Sequence, residues 1–282
     1  MPMLHRIVVL ATAYLLAMTA SASAQLVIRI EPKGWGDADA EDIRRVLESA
    51  GREVIKQLPP DRPIRIKVVP TAEVPQVDFR RAADGEMTVR LAVKNRHWSQ
   101  FAYQFAHEVG HIVSRYERRH DNKVGEENLW FDEMVCEAAS LFVLAKMGET
   151  WKTDPPHSNW KSYAGSLADY HATRLKGIDA PAAERMPAWF AENRAALRAN
   201  PVLRDRNATV AAHFVKLLEA DPTRWEAIRY LNLGRPDAAN SFENYLENWY
   251  YSVPRAHKPF VKEVVDLLGV KSELIAKHAS AK

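Results

Sequence analysis

The chain has 282 residues, 47% of them apolar and 27% charged, which is enough for one folded domain or for two lobes with a shared core. Its net charge of +3 is small and gathers into no basic block, so nothing argues for nucleic acid as a partner. Cys136 is the only cysteine, which excludes an intrachain disulfide and a lipid-modified cysteine near the N-terminus.

Residues 1–24 read as a signal peptide. His5 and Arg6 give a short basic start, Ile7 to Met18 is an apolar run, and Ala22-Ser23-Ala24 before Gln25 is an A-x-A cleavage signal. The run is marginal in length for a membrane span, and no later stretch is apolar enough to be one. The mature chain is therefore expected to begin near Gln25, to be exported to the periplasm or the medium, and to keep no stable membrane span.

Residues 25–120 read as an α/β lobe. Leu26, Ile28 and Ile30 alternate as a strand. Ile43, Val46, Leu47, Ala50 and Val54 recur at helical spacing, started by acidic residues near Asp39 and stopped by Pro59-Pro60. Ile64, Ile66 and Val68 form a second strand ended by Pro70, and Val89, Leu91 and Val93 a further one after the turn at Asp84-Gly85. That last strand is the expected exposed edge of the sheet. His97 to Tyr116 then reads as a helix with Phe101, Phe105, Val109, Ile112, Val113 and Tyr116 on its core side, followed by a polar loop or lid from Glu117 to Glu126.

Residues 121–282 read as a helical lobe. Leu129 to Met147 is an apolar-rich helix ending before Gly148, and further helices are expected around 160–175, 187–199, 209–218, 222–230, 242–251 and 259–268. Six of the eight tryptophans, Trp130, Trp151, Trp160, Trp189, Trp225 and Trp249, fall in this half and are expected in the core. Asn207-Ala208-Thr209 is an N-x-T sequon. The expected fold class is α+β, with a short sheet packed on the helix of residues 97–116 and a larger helical lobe across a cleft.

His107-Glu108-Val109-Gly110-His111 carries the chemistry. It is the H-E-x-x-H pattern, in which two imidazoles four apart on one helix face can share a metal and the carboxylate beside the first can serve as a base. Gly110 costs about 1 kcal/mol of helix propensity relative to Ala, which points to close packing or a site at this position. A catalytic zinc site needs a third protein ligand. A histidine immediately downstream is excluded, because Ser114 and Glu117 stand where that arrangement has Gly and His. Glu133 and Glu137, four apart on the next helix, are the candidates. Cys136 reads as a small buried hydrophobe rather than a ligand, Asp132, Glu126 and Glu127 as helix-start charges, and His120 and His157 as loop histidines.

H-E-x-x-H followed by a glutamate 133 − 111 = 22 residues on resembles the gluzincin superfamily of zinc metallopeptidases, which includes thermolysin and aminopeptidase N relatives. Leu129-Trp130-Phe131-Asp132-Glu133 is similar to the L-W-x-x-E of the aminopeptidase-like branch. The resemblance covers about residues 97–147. It implies a zincin-like fold, His107, His111 and Glu133 as ligands of one Zn2+ per chain, Glu108 as general base, and Glu137 as the acid that orients a ligating histidine, with Glu137 as ligand the alternative. The chain departs from the pattern at Gln104 and Met134 and has no G-x-M-E-N segment. The expected activity is hydrolysis of a peptide or protein substrate. The oxyanion stabiliser is sought among Tyr163, Tyr170, His171, His213, Tyr245, Tyr250 and Tyr251. The alternative is a secreted metal-binding or interaction protein without catalysis, which leaves Glu108 without a purpose.

Overall fold

The computed structural model describes residues 26–58, 63–78, 80–118, 128–234 and 241–280. The expected signal peptide, Pro59-Pro60, His120, Glu126 and Glu127 lie outside them. Within these residues the fold is mixed α+β, with a small sheet and many helices.

Alternating apolar residues build the sheet. Strands β1 (Leu26–Ile30), β2 (Ile64–Pro70), β3 (Gln76–Asp78) and β4 (Met87–Leu91) lie in the order β1-β2-β4-β3. The first three in that order run parallel, with Ile28 opposite Ile66 and Val68 opposite Val89. Strand β3 is antiparallel to β4, with Val77 opposite Val89. The expectation that β4 is the sheet edge is therefore overturned. Three residues with a single apolar side chain are too short to show alternation, and β3 is held instead by pairing and by Arg90, whose Nε and Nη2 donate to Asp78 at 3.1 and 2.7 Å.

Helix α1 (Ala40–Ile55) starts at Asp39, whose side chain accepts from the amides of Glu41 and Asp42. Its apolar face, Ile43, Val46, Leu47, Ala50 and Val54, is fully buried against the sheet and the next two helices. Helix α2 (Trp98–Ser114) carries the H-E-x-x-H segment. It ends before the expected Tyr116, because Arg115 takes a left-handed conformation at φ 58° and its amide closes on His111 and Ile112 carbonyls.

Helix α3 (Leu129–Thr150) is apolar on nearly all sides and sits at the centre, against α1 and α2 on one side and against α4 (Ala164–Lys176) and α6 (Arg204–Ala220) on the other. The expected stop at Gly148 does not occur. The helix runs through it because α4 comes so close that a Cβ there would lie 3.3 Å from the Ala168 amide nitrogen.

Helices α5 (Met186–Ala199), α7 (Trp225–Ile228), α8 (Phe242–Ser252), α9 (Lys258–Leu267) and α10 (Glu273–Ser280) complete the described chain. The last was not apparent in the periodicity, and the 222–230 segment is a 3-10 turn followed by the short α7. Trp130, Trp151, Trp225 and Trp249 are buried and Trp160 and Trp189 pack against the core, as expected. One apolar core runs from the sheet through α3 into the helical half. Asn207 and Thr209 of the sequon are buried within α6, where the Asn207 amide donates to the Pro201 carbonyl. Among the described residues no helix is long and apolar enough to cross a membrane.

Candidate metal centre

Helical spacing puts His107 and His111 on one face of α2, with ring centroids 5.2 Å apart. Helix α3 runs antiparallel beside them and delivers Glu133. One carboxylate oxygen lies 3.2 Å from Nε2 of His107 and the other 3.6 Å from Nε2 of His111. Gly110 makes this approach possible. A Cβ at that position would stand 2.9 Å from Sγ and 3.0 Å from Cα of Cys136, so only a glycine lets α3 lie so near the histidines.

The donors could hold a metal ion. Zinc–ligand bonds of about 2.0–2.1 Å in a tetrahedron separate neighbouring donors by about 3.3 Å, and the two His–Glu133 separations bracket that length. His107, His111 and Cys136 form a second possible trio, with one donor atom from each lying within 4.8 Å of the others. Cys136 is fully buried, which pushes its thiol well above the ordinary range, and the charges around it, Glu133, Asp132, Glu108 and Glu137, are all acidic. A coordinating sulfur must be a thiolate, which a bound metal ion itself promotes, so Glu133 and Cys136 both stand as candidates for the third donor.

No family model, curated protein or solved structure matches this chain. The site is therefore argued from its own geometry.

Its charges are arranged for a cation. Burial lowers the affinity of His107 for a proton, but the hydrogen bond to Glu133 and the charges of Glu108, Glu133 and Glu137 outweigh it and raise the imidazole to about 9. Burial lowers His111 to about 4, so that ring is neutral near pH 7. Glu133 falls below the usual carboxylate range, because the His107 hydrogen bond and the charges of His111, His107 and Arg204 overcome its burial. Glu108 is buried, and desolvation raises it to about 7, although the charge of His107 and the nearby Val77 backbone N–H favour its charged form. The base candidate thus touches the β3 edge strand, not β4.

The structure separates Glu137 from the histidines. Its carboxylate accepts the Tyr103 hydroxyl at 2.6 Å and lies 3.3 Å from Nη2 of Arg174 on α4. The histidine-orienting role implied by the resemblance is not what these bonds perform. Asp132, expected as a helix-start charge, is fully buried. It accepts Asn232 Nδ2 at 2.7 Å, and the same amide nitrogen donates to the Ser114 carbonyl at 2.9 Å. Gln104 accepts the Ala92 amide and ties the end of β4 to α2. His157 pairs with Asp42 at 3.3 Å and packs on Trp160, so it is not a loose loop residue.

Of the expected oxyanion candidates, all but His171 have other contacts. Tyr163 meets Ser99, His213 meets the Pro181 carbonyl, Tyr245 meets Asn232 and Asp132, and Lys258 sits over Tyr250 and Tyr251. Tyr170 packs edge-on against Tyr103, and His171 is half-buried on α4. Two residues not singled out by sequence, Val77 and Tyr103, adjoin the site, as does Tyr116, expected only on the core side of the helix, whose ring centroid lies 5.0 Å from that of His111. Tyr103 had a sequence signal, because it stands one turn before His107 on the same face.

Proposed function

We propose that this chain is an exported zinc-dependent peptidase on a zincin-like α+β fold, related in its chemistry to the gluzincins. The observation that carries the reading is the Glu133 carboxylate set between Nε2 of His107 and Nε2 of His111, with the buried Glu108 beside them. His107, His111 and Glu133 would hold one zinc ion per chain. Such an ion supplies Lewis-acid polarisation of a carbonyl and activation of a water.

The chain's own residues supply the rest. Glu108 has its carboxyl raised to about 7, which suits a group that takes a proton from the attacking water and returns it to the leaving amine. The Val77 backbone N–H on the edge strand lies near enough to that carboxylate to favour its charged form. An extended peptide adding to the free edge of β3 would pass beside Glu108. Helices α2 and α3 form the floor of the site, and their close packing at Gly110 keeps the floor rigid.

Glu108→Gln tests the reading. The expected result is loss of peptide cleavage by at least about 100-fold with zinc binding retained. Equal cleavage by both forms would remove Glu108 from the mechanism. Zinc binding without cleavage by the unaltered chain on a peptide library would favour the non-catalytic metal-binding protein.

A further inference from the structure

The His107–Glu133 contact is one rung of a ladder. One helical turn away, Tyr103 on α2 faces Glu137 on α3 in the same antiparallel register. A step of four residues back along α2 meets a step of four forward along α3, as antiparallel helices require. The second rung carries a third partner. Arg174 of α4 donates from Nη2 to the Tyr103 hydroxyl at 2.6 Å, lies 3.3 Å from Glu137, and stacks with its guanidinium carbon 4.7 Å from the centre of the Tyr103 ring.

The direction of these bonds is determined. An arginine has donors only, so the phenol oxygen accepts from Arg174 and its own proton points to Glu137. The chain Arg174 to Tyr103 to Glu137 therefore holds a nearly buried carboxylate away from the histidines and compensates its charge. Without it, Glu137 would be a second uncompensated acid one turn from Glu133.

We propose that Arg174, acting through Tyr103 and Glu137, is a positioning residue that sets the axial register of α3 on α2 and so keeps Glu133 between the two histidines. The inference rests on the reading of His107, His111 and Glu133 as zinc ligands. Glu133 must stay near 3.2 and 3.6 Å from two nitrogens on different turns, and a slide of about 1 Å along the axis would spoil one of them. Arg174 makes the ligand geometry depend on α4, a helix that contributes no donor of its own.

The test is zinc affinity of the full mature chain, measured by competition with a chromogenic chelator, beside the melting temperature of the metal-free protein. Arg174→Ala and Tyr103→Phe are expected to weaken zinc binding by ~10–100-fold, and Arg174→Lys to recover part of the loss. In a Glu137→Gln background, Arg174→Ala should add little, because the acid it restrains is gone. Arg194→Ala, which breaks a comparable exposed pair with Glu243 on α5 and α8, serves as the control and should leave affinity unchanged. Unchanged affinity in Arg174→Ala would overturn the inference. So would a loss explained by a metal-free melting temperature that falls further than in the control. Failure of the unaltered chain to bind zinc would instead overturn the metal-site reading itself.

Discussion

Gly110 lies against Cys136 so closely that a single added methyl would come within 2.9 Å of the sulfur and 3.0 Å of the Cys136 α-carbon. The glycine that weakens the motif helix is what lets the helix carrying Glu133 approach it.

Gly110→Ala should therefore destabilise the fold despite better helix propensity. The substitution gains about 1 kcal/mol of propensity but overpacks a rigid contact, at a cost of about 1–3 kcal/mol. We expect a net loss in urea unfolding and weaker zinc binding. Cys136→Ala should relieve the clash with the sulfur alone and rescue only part, because the new methyl still meets the backbone of residue 136. A Gly110→Ala protein as stable as the original would show that α3 can move outward freely.

Metal affinity should depend on pH through His107. Its proton is held up to about 9, so below that pH a metal must displace it, and apparent affinity should rise about tenfold per pH unit between 7 and 9. His111, lowered to about 4, and the depressed Glu133 are already deprotonated there and add nothing to the slope. Below about 7 a protonated Glu108 no longer adds its negative charge beside the site, and the slope should steepen. The same raised His107 gives the metal-free chain a stabilising contribution that is full below about 6.5 and disappears as the pH passes 9. Chelator competition at several pH values measures the slope; a flat profile would show that His107 is neutral in the metal-free protein.

Asp132 should matter for stability more than for chemistry. It is buried with Asn232 and Tyr245, and Asn232 also caps the Ser114 carbonyl at the end of the motif helix. Asp132→Ala strands a buried amide donor, and a loss of about 2–3 kcal/mol is expected in denaturant unfolding. Asp132→Asn, which retains an acceptor, should cost less. Equal losses would show that its charge, not the hydrogen bond, is what the core needs.

Much of the site was legible because its chemistry is local. His107, Glu108 and His111 need only one helical turn, and Glu133 was reached by spacing together with the resemblance. The long-range parts were not. Val77 sits in a strand too short to show alternation, so its contact with Glu108 depends on how β3 folds back onto β4. Glu137 stood at a recognisable offset from Glu133, but its partner Arg174 comes from a helix 37 residues away, and no local pattern announces that bond. The helix end at Arg115 was missed for another reason. Tyr116 continued the apolar period, while the left-handed turn that stops the helix rests on a non-glycine residue that sequence rules rarely nominate.

The position of β3 makes the last expectation specific. An extended peptide adding to the sheet beside Glu108 would add along β3, which among the described residues is an edge strand, because β4 is covered on both sides by β2 and β3. Binding of a non-hydrolysable peptide analogue should slow amide exchange in Gln76–Asp78 and leave Met87–Leu91 nearly unchanged, since those amides already lie inside the sheet. Val77 is the sensitive probe, because its backbone N–H lies near the Glu108 carboxylate. Val77→Pro removes this N–H, and it should impair peptide cleavage more than zinc affinity, as the proposed metal donors all lie on α2 and α3. Protection confined to the helical half, with β3 exchanging as before, would place the substrate along the helices and remove the edge strand from the recognition of peptides.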